Sequence, residues 1–312
     1  MDFELRILGS SSATPSANRH HTAQVLTIGN QYHLIDCGEG TQMQLMLYKI
    51  KHQRICSIYI SHLHGDHYFG LAGLLSTMHL QGRHMPLHLF GPPGLLEILS
   101  LQFKYSGTNL CFKLIFHELD TACYRKIFED KAITVHSIPM EHRVPCCGFL
   151  FREKLKPRPL IKDKLPDFLR PPQLVRLKWG EDIKDEQGNV LVHNSDVTLD
   201  PKPSRSYAYC SDSRYKPDLL PYLSHVDLMY HEATFMDDLR ERAEYTYHST
   251  ARQAAQLALA AKVRHLVIGH FSVRYKDLSP LLAEAQEVFP ATDLANEGSV
   301  FCVQDQPALP AT

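Results

Sequence analysis

The sequence predicts an α/β fold assembled as a single unit, and three observations carry that prediction. Short apolar runs rich in β-branched residues alternate along the 312 residues with segments whose apolar residues recur at helical spacing. Four of these runs, at 55–60, 206–210, 226–230 and 265–268, each end in a polar group: His62 and His64, Asp212, His231-Glu232, and His270. Open α/β sheets gather their ligands beyond the carboxyl ends of strands, so several such ends imply one shared site. The third observation is the stretch Ser61-His62-Leu63-His64-Gly65-Asp66-His67, with four candidate ligands between a strand and a helix. Imidazole nitrogen and carboxylate oxygen are the usual donors to zinc-type metals.

Composition sets the frame. Hydrophobic residues make up 44% and charged residues 21%, the balance of a soluble globular protein. The length exceeds that of a common domain, yet a duplicated α/β sandwich of this size folds as one unit. No apolar run approaches the roughly 20 residues that span a bilayer. The N-terminus lacks the basic start and apolar core of a signal peptide. Both point away from a membrane partner. The eight cysteines are scattered without CxxC spacing, which suits reduced core residues in the cytoplasm. Net charge is −1, so any polyanion must be attracted by a local patch.

Taken in order, residues 5–8 read as a strand running into a Gly/Ser loop that extends to His21. Residues 24–28 and 32–35 form a hairpin across Gly29-Asn30, and Asp36-Cys37-Gly38-Glu39 turns into a helix over 42–49. The histidine turn follows strand 55–60 and precedes a helix over 68–79. Strand 86–92, helix 95–103 and strands 114–119 and 132–138 come next, the last delivering Glu141-His142. After strand 148–151 the composition shifts. Residues 152–178 hold nine Lys/Arg against three acids, with five prolines. This stretch reads as surface rather than core, either a solvated insertion or a basic arm that grips phosphates. Residues 185–189 resemble a turn. Strands 206–210, 226–230 and 265–268 are accompanied by a helix over 251–261, capped by Ser249 or Thr250. Helix 278–288 and strand 300–303 complete the chain.

The His-x-His-x-Asp-His turn resembles the signature of the metallo-β-lactamase superfamily. That pattern continues with a lone His, a bridging Asp and a final His, matched in order by His142, Asp212 and His270. The wider set of motifs is similar to ribonuclease Z in its short form. It includes Leu8-Gly9 through Pro15 and Arg19, Asp36-Cys37-Gly38-Glu39, Gly70-Leu71-Ala72-Gly73-Leu74-Leu75, and Gly91-Pro92. It continues through Ser211-Asp212, His231-Glu232-Ala233-Thr234-Phe235, Tyr247-His248-Ser249-Thr250 and His270-Phe271-Ser272-Val273-Arg274-Tyr275. The His-Glu-Ala-Thr-Phe and His-Ser-Thr stretches are the specific ones, since hydrolases of many substrates share the first signature. Two stretches depart from the family pattern. Pro171-Pro172-Gln173-Leu174 lacks the arm's Gly-Pro motif, and Pro15-Ser16-Ala17-Asn18-Arg19-His20 lacks a basic residue before its Arg.

The resemblance implies a metallo-β-lactamase αββα sandwich over residues 1–312, with 152–204 inserted as a tRNA-binding arm, and a homodimer. It implies two Zn2+ ions per subunit, or Mn2+ or another divalent metal, with no organic cofactor. His62, His64 and His142 would hold one ion, Asp66, His67 and His270 the other, and Asp212 both. Paired ions about 3.5–4 Å apart lower the pKa of a shared water and clamp phosphate oxygens. The implied reaction cuts the 3′ trailer from precursor tRNA, leaving a 3′-hydroxyl on the tRNA and a 5′-phosphate on the trailer. Asp66 would accept the nucleophile's proton, and His248, oriented by Glu232, would protonate the leaving oxygen. Arg19, Ser249, Thr250, Ser272 and Arg274 would bind RNA at the site; Lys154, Lys156, Arg158, Lys162, Lys164 and Arg170 would bind it on the arm. The rival readings are a metallohydrolase of the same fold acting on a thioester, lactam or small phosphodiester, and a non-catalytic RNA- or metal-binding protein. The basic insertion and the His-Glu-Ala-Thr-Phe stretch weigh against the first, and the complete ligand set against the second.

Overall fold

The computed structural model describes residues 2–303; the parts of the expected single unit at residue 1 and 304–312 lie outside the described residues. The first strands are β1 (Phe3–Gly9), β2 (Ala23–Ile28), β3 (Gln31–Ile35), β4 (Ile55–Tyr59), β5 (Leu87–Gly91) and β6 (Leu114–Glu118). They are followed by β7 (Arg125–Glu129), β8 (Ile133–Pro139), β9 (Cys147–Glu153), β10 (Ile183–Lys184) and β11 (Val190–Val192). The last are β12 (Ser206–Cys210), β13 (Leu228–Glu232), β14 (His265–Gly269), β15 (Thr292–Leu294) and β16 (Val300–Cys302). Helices α1 (Thr41–Leu47), α2 (Gly65–Tyr68), α3 (Leu71–Leu80) and α4 (Leu95–Ser106) belong to the first half. Helices α5 (Pro171–Lys178), α6 (Asn194–Val197), α7 (Leu220–Leu223), α8 (Arg240–Thr246), α9 (Ala251–Ala260) and α10 (Ser279–Gln286) belong to the second.

Two seven-stranded sheets, ordered β16-β1-β2-β3-β4-β5-β6 and β15-β14-β13-β12-β9-β8-β7, share a core rich in aromatic rings. Strand alternation creates the layers. In β12, Tyr207 and Tyr209 enter the core between the sheets, while Ala208 and Cys210 enter the core beneath α9 and α10. Strand β9 repeats the pattern with Phe149 and Phe151 on one face and Leu150 on the other. Helices α1, α3 and α4 cover the outer face of the first sheet. The result is the expected αββα sandwich. Strands buried on both faces read as nearly continuous apolar runs, which is why they stand out in the sequence.

Parallel pairing brings the functional turns together. Strands β12, β13 and β14 run parallel, with Cys210 opposite His231 and His231 opposite Ile268, so their carboxyl ends lie level. Strands β3, β4 and β5 do the same in the first sheet. The helix expected over 68–79 is interrupted at Phe69-Gly70, giving α2 and α3. A Cβ at Gly70 would lie 2.2 Å from the Gly38 carbonyl oxygen. The bare backbone lets the Gly70 N–H bond Cys37 O at 2.9 Å, while Cys37 N–H bonds His67 O at 2.7 Å. These two bonds fasten the histidine turn to the loop after β3. Strand β13 runs two residues later than expected, so His231 and Glu232 are its buried end.

The expectation that 152–178 contains no core is corrected. Leu177, Ile183, Val192 and Val197 are buried together, with Leu160, Leu165, Leu169 and Leu174 packed against them. Helix α5 supplies part of this small core. Its first residues are Pro171 and Pro172, positions where a helix needs no amide donor, so residues that resemble punctuation begin an element. At the root of the insertion, Arg205 donates to both oxygens of the buried Glu153, at 2.9 and 2.7 Å.

Candidate metal and catalytic centre

Six elements converge on one cavity of about 770 Å³ at the carboxyl ends of the strands. The turn after β4 contributes His62 and His64, and α2 contributes Asp66 and His67. His142 comes from the loop after β8, Asp212 follows β12, Glu232 ends β13 and His270 follows β14.

The candidate ligands fall into two clusters joined by one carboxylate. His64 Nδ1 lies 3.1 Å from both His62 Nε2 and His142 Nε2. His270 Nε2 lies 3.3 Å from His67 Nε2 and 3.2 Å from Asp66 Oδ2. Asp212 divides its oxygens between them. Its Oδ2 is 3.7 and 3.8 Å from His62 and His142, and its Oδ1 is 3.5 and 3.3 Å from His67 and His270. Oδ1 is buried with no hydrogen-bond donor. A buried acceptor surrounded by imidazole nitrogens is a polar group awaiting a cation.

The opposite ring nitrogens fix the tautomers that such binding requires. His67 Nδ1 donates to Asp36 at 2.7 Å, His142 Nδ1 to the Tyr247 carbonyl at 2.9 Å, and His270 Nδ1 to Thr234 Oγ1 at 2.9 Å. His62 Nδ1 faces Ser61 Oγ at 3.0 Å. Each Nε2 therefore presents a lone pair inward. Asp36 itself accepts from the Ser61 amide and hydroxyl and from the Tyr209 hydroxyl. Asp36 and His270 both hold φ in the left-handed region, at 54° and 61°. Such strain costs on the order of 1–3 kcal/mol per residue and is held by the surrounding bonds.

Electrostatics favour ionised carboxylates, with the histidines divided between neutral and protonated rings. Burial lowers the pKa of His62, His64 and His142. Burial alone would raise Asp66 and Asp212, but the facing imidazoles hold both below the usual carboxylate range. At His67 burial is outweighed by Asp212, Asp66 and Asp36, which draw positive charge to that end. The donor set could hold divalent metal.

Beside the clusters stands a carboxylate–imidazole pair. Glu232 Oε1 accepts from His248 Nδ1 at 3.0 Å and from the Ser249 amide at 2.8 Å; Oε2 accepts from the Thr234 amide and hydroxyl. These donors make a charged group tolerable inside β13. Burial disfavours protonated His248, but Glu232 outweighs it and raises the ring to about 9. With Nδ1 engaged, Nε2 is the nitrogen available to a ligand in the cavity that His248 lines.

The expected RNA-binding residues separate into several environments. Ser272 and Arg274 line the cavity, and the Arg274 guanidinium lies over Phe235 at 5.1 Å. Ser249 and Thr250 do not reach the surface: both are fully buried. Ser249 Oγ donates to Ser213 O, and Thr250 caps α9 by accepting from the Gln253 amide. Their place in RNA binding is corrected to a structural one. Arg19 donates to the Ser272 and Tyr275 carbonyls, bracing the cavity wall. On the insertion, Lys154 pairs with Glu129, Lys156 with Glu153 and Arg158 with Asp200. These three are therefore not a free grip, whereas Lys162, Lys164 and Arg170 are exposed. Two residues escaped assignment from sequence: Asp36 and Thr234. Asp36 had a legible signal, a carboxylate at the end of a strand, but its partner His67 lies 31 positions away.

Ribonuclease Z of Cytophaga hutchinsonii is 52% identical over 98% of this chain and 98% of its own length. Ribonuclease Z of Bacteroides fragilis is 49% identical over 95% of this chain and 97% of its own. Human tRNase Z, short form, matches in structure with a TM-score of 0.70 and 27% identity, covering 96% of this chain and 99% of that one. YhfI, a metallo-β-lactamase-fold protein of Bacillus subtilis, matches with a TM-score of 0.68 at 18% identity over 97% of this chain and all of its own. A family model described as the anti-Pycsar protein Apyc1 matches residues 3–156. That match ends before Asp212, Glu232, His248 and His270, so it leaves out half of the centre.

Proposed function

The chain belongs to the ribonuclease Z family, and from that membership we infer that it is a tRNA 3′-processing endoribonuclease working through two divalent cations. The observation that supports the two-cation reading is Asp212, whose two oxygens face the two clusters separately. His62, His64 and His142 would hold one cation and Asp66, His67 and His270 the other. The imidazole-rich set suits Zn2+, with Mn2+ an alternative. Bound there, the cations would polarise phosphate oxygens and lower the pKa of a water.

The side chains supply the remaining chemistry. Water attacks phosphorus in line and loses a proton to Asp66. The bond to the tRNA 3′ oxygen breaks, and that oxygen takes the proton of His248. The tRNA keeps a 3′-hydroxyl and the trailer a 5′-phosphate. Glu232 orients His248 and keeps it charged. Arg274 and Ser272 bind RNA in the cavity, and the insertion acts as an arm through Lys162, Lys164 and Arg170. Met43, Met46 and Leu47, each more than half exposed on α1, support a homodimer. No helix among the described residues is long and apolar enough to cross a membrane, and eight unpaired cysteines support a reducing, cytoplasmic setting.

The test combines cleavage of a defined precursor tRNA with metal analysis. Wild-type protein is expected to hold two metals per chain and release both products. Asp212→Ala is expected to lose metal and nearly all hydrolysis. A variant that keeps two metals and wild-type turnover would overturn the bridging role.

A further inference from the structure

Three arginines line the central cavity: Arg143, Arg242 and Arg274. Arg274 lies over the Phe235 ring at 5.1 Å, and Phe235 packs beside His248. The surroundings of Arg143 and Arg242 differ from those of the basic insertion. Lys154, Lys156 and Arg158 are tied to acids, whereas neither Arg143 nor Arg242 has a carboxylate partner among the described residues. Two of the neighbouring acids, Glu141 and Glu244, both pair with Arg214. Outside the ligand clusters, Glu39 is the one carboxylate lining the cavity among the described residues.

Arg143 is also held in place. Its Nη2 donates to the Tyr245 carbonyl at 3.0 Å, and its guanidinium lies over the Tyr245 ring at 5.6 Å. That ring is 74% exposed. The preceding residue, His142, bonds the Tyr247 carbonyl at 2.9 Å. The segment 245–248 that presents His248 therefore also fixes Arg143, and α8 brings Arg242 to the same rim. One held and one exposed guanidinium, both lining the same cavity and neither paired with a carboxylate among the described residues, match phosphate oxygens.

We propose that Arg143 and Arg242 form a phosphate-binding subsite for the last nucleotides of the tRNA body, on the 5′ side of the cut. This rests on the reading of the centre as a precursor-tRNA nuclease with His248 as proton donor. The donor must stand beside the oxygen that leaves, and that oxygen belongs to the tRNA body. Arg143 is tied to the segment 245–248 that carries His248, and α8, which carries Arg242, runs directly into it, so both arginines fall beside the acceptor end.

The experiment measures steady-state cleavage by the metal-loaded protein on two precursors, one with a long trailer and one with a single trailer nucleotide. Arg143→Gln/Arg242→Gln is expected to raise KM on the order of tenfold on both, with a much smaller change in kcat. Two lost phosphate contacts should flatten the slope of log affinity against log salt by about 1.4–1.8. Arg143→Lys/Arg242→Lys should recover the slope, since charge rather than shape sets it. An unchanged KM and salt slope would overturn the subsite. A deficit that vanishes with the one-nucleotide trailer would overturn its placement, because the contacts would then lie on the trailer. Failure of the unmodified protein to cut either precursor would instead refute the functional reading beneath the proposal.

Discussion

Replacing Glu232 by Gln isolates the work of one buried carboxylate. The substitution keeps the shape but removes the largest of the charges, with Asp212 and Asp66 the lesser ones, that overcome burial and raise His248 to about 9 from its ordinary value near 6.5. The difference corresponds to about 3 kcal/mol in favour of the protonated ring. At pH 7.5 a group titrating at about 9 is about 97% protonated, and one titrating at about 6.5 is about 9% protonated. If His248 is the acid, occupancy alone lowers kcat roughly tenfold at that pH. The sign is definite: a raised pKa keeps the proton until pH climbs through it, so activity falls on the alkaline side. Bound cations would lower both alkaline limbs, so the separation between wild type and variant is the quantity to read. The assay is a pH profile of kcat on precursor tRNA at constant ionic strength, with metal content measured in parallel. His248→Ala should abolish the limb, and its deficit should shrink on a nitrophenyl phosphodiester, whose leaving group needs no acid. Coincident limbs for wild type and Glu232→Gln, or equal losses on poor and good leaving groups, would refute the reasoning.

Two further outcomes follow from the partners of the centre. Asp36→Asn weakens the bond that orients His67 and should lower metal affinity about 10–100-fold in a chelator competition; an unchanged affinity would remove Asp36 from the design. Neutralising Lys162, Lys164 and Arg170 should flatten the salt dependence of tRNA binding by about 2–2.7, whereas neutralising Lys154, Lys156 and Arg158 should do much less. Equal effects of the two triple variants would show that the internal ion pairs do not decide which cations meet RNA.

Some features were legible because their causes are local. The His62–His67 turn packs four donors between a strand and a helix, and few other uses explain that density. Doubly buried strands such as β12 and β14 announce themselves as apolar runs. Polar residues just beyond them pointed to one shared site before any contact was visible. Helix α5 was hidden because its opening prolines carry opposite meanings at the start of a helix and in its interior. Ser249 and Thr250 were misplaced because a motif names residues without saying which way they face.

The α/β class, the strand ends and the donor types can be read from the sequence, since they depend on residues within a few positions of one another. Tertiary structure alone decided which groups meet. His67 and His270 are 203 positions apart, and Tyr209 reaches Asp36 across 173. The division of the Asp212 oxygens between two clusters depends on the relative placement of both sheets. So does the availability of charge, because Lys154 and Arg143 look alike in a sequence until one has Glu129 beside it and the other does not. Chain-distant packing and electrostatics set these properties, and no local pattern encodes them.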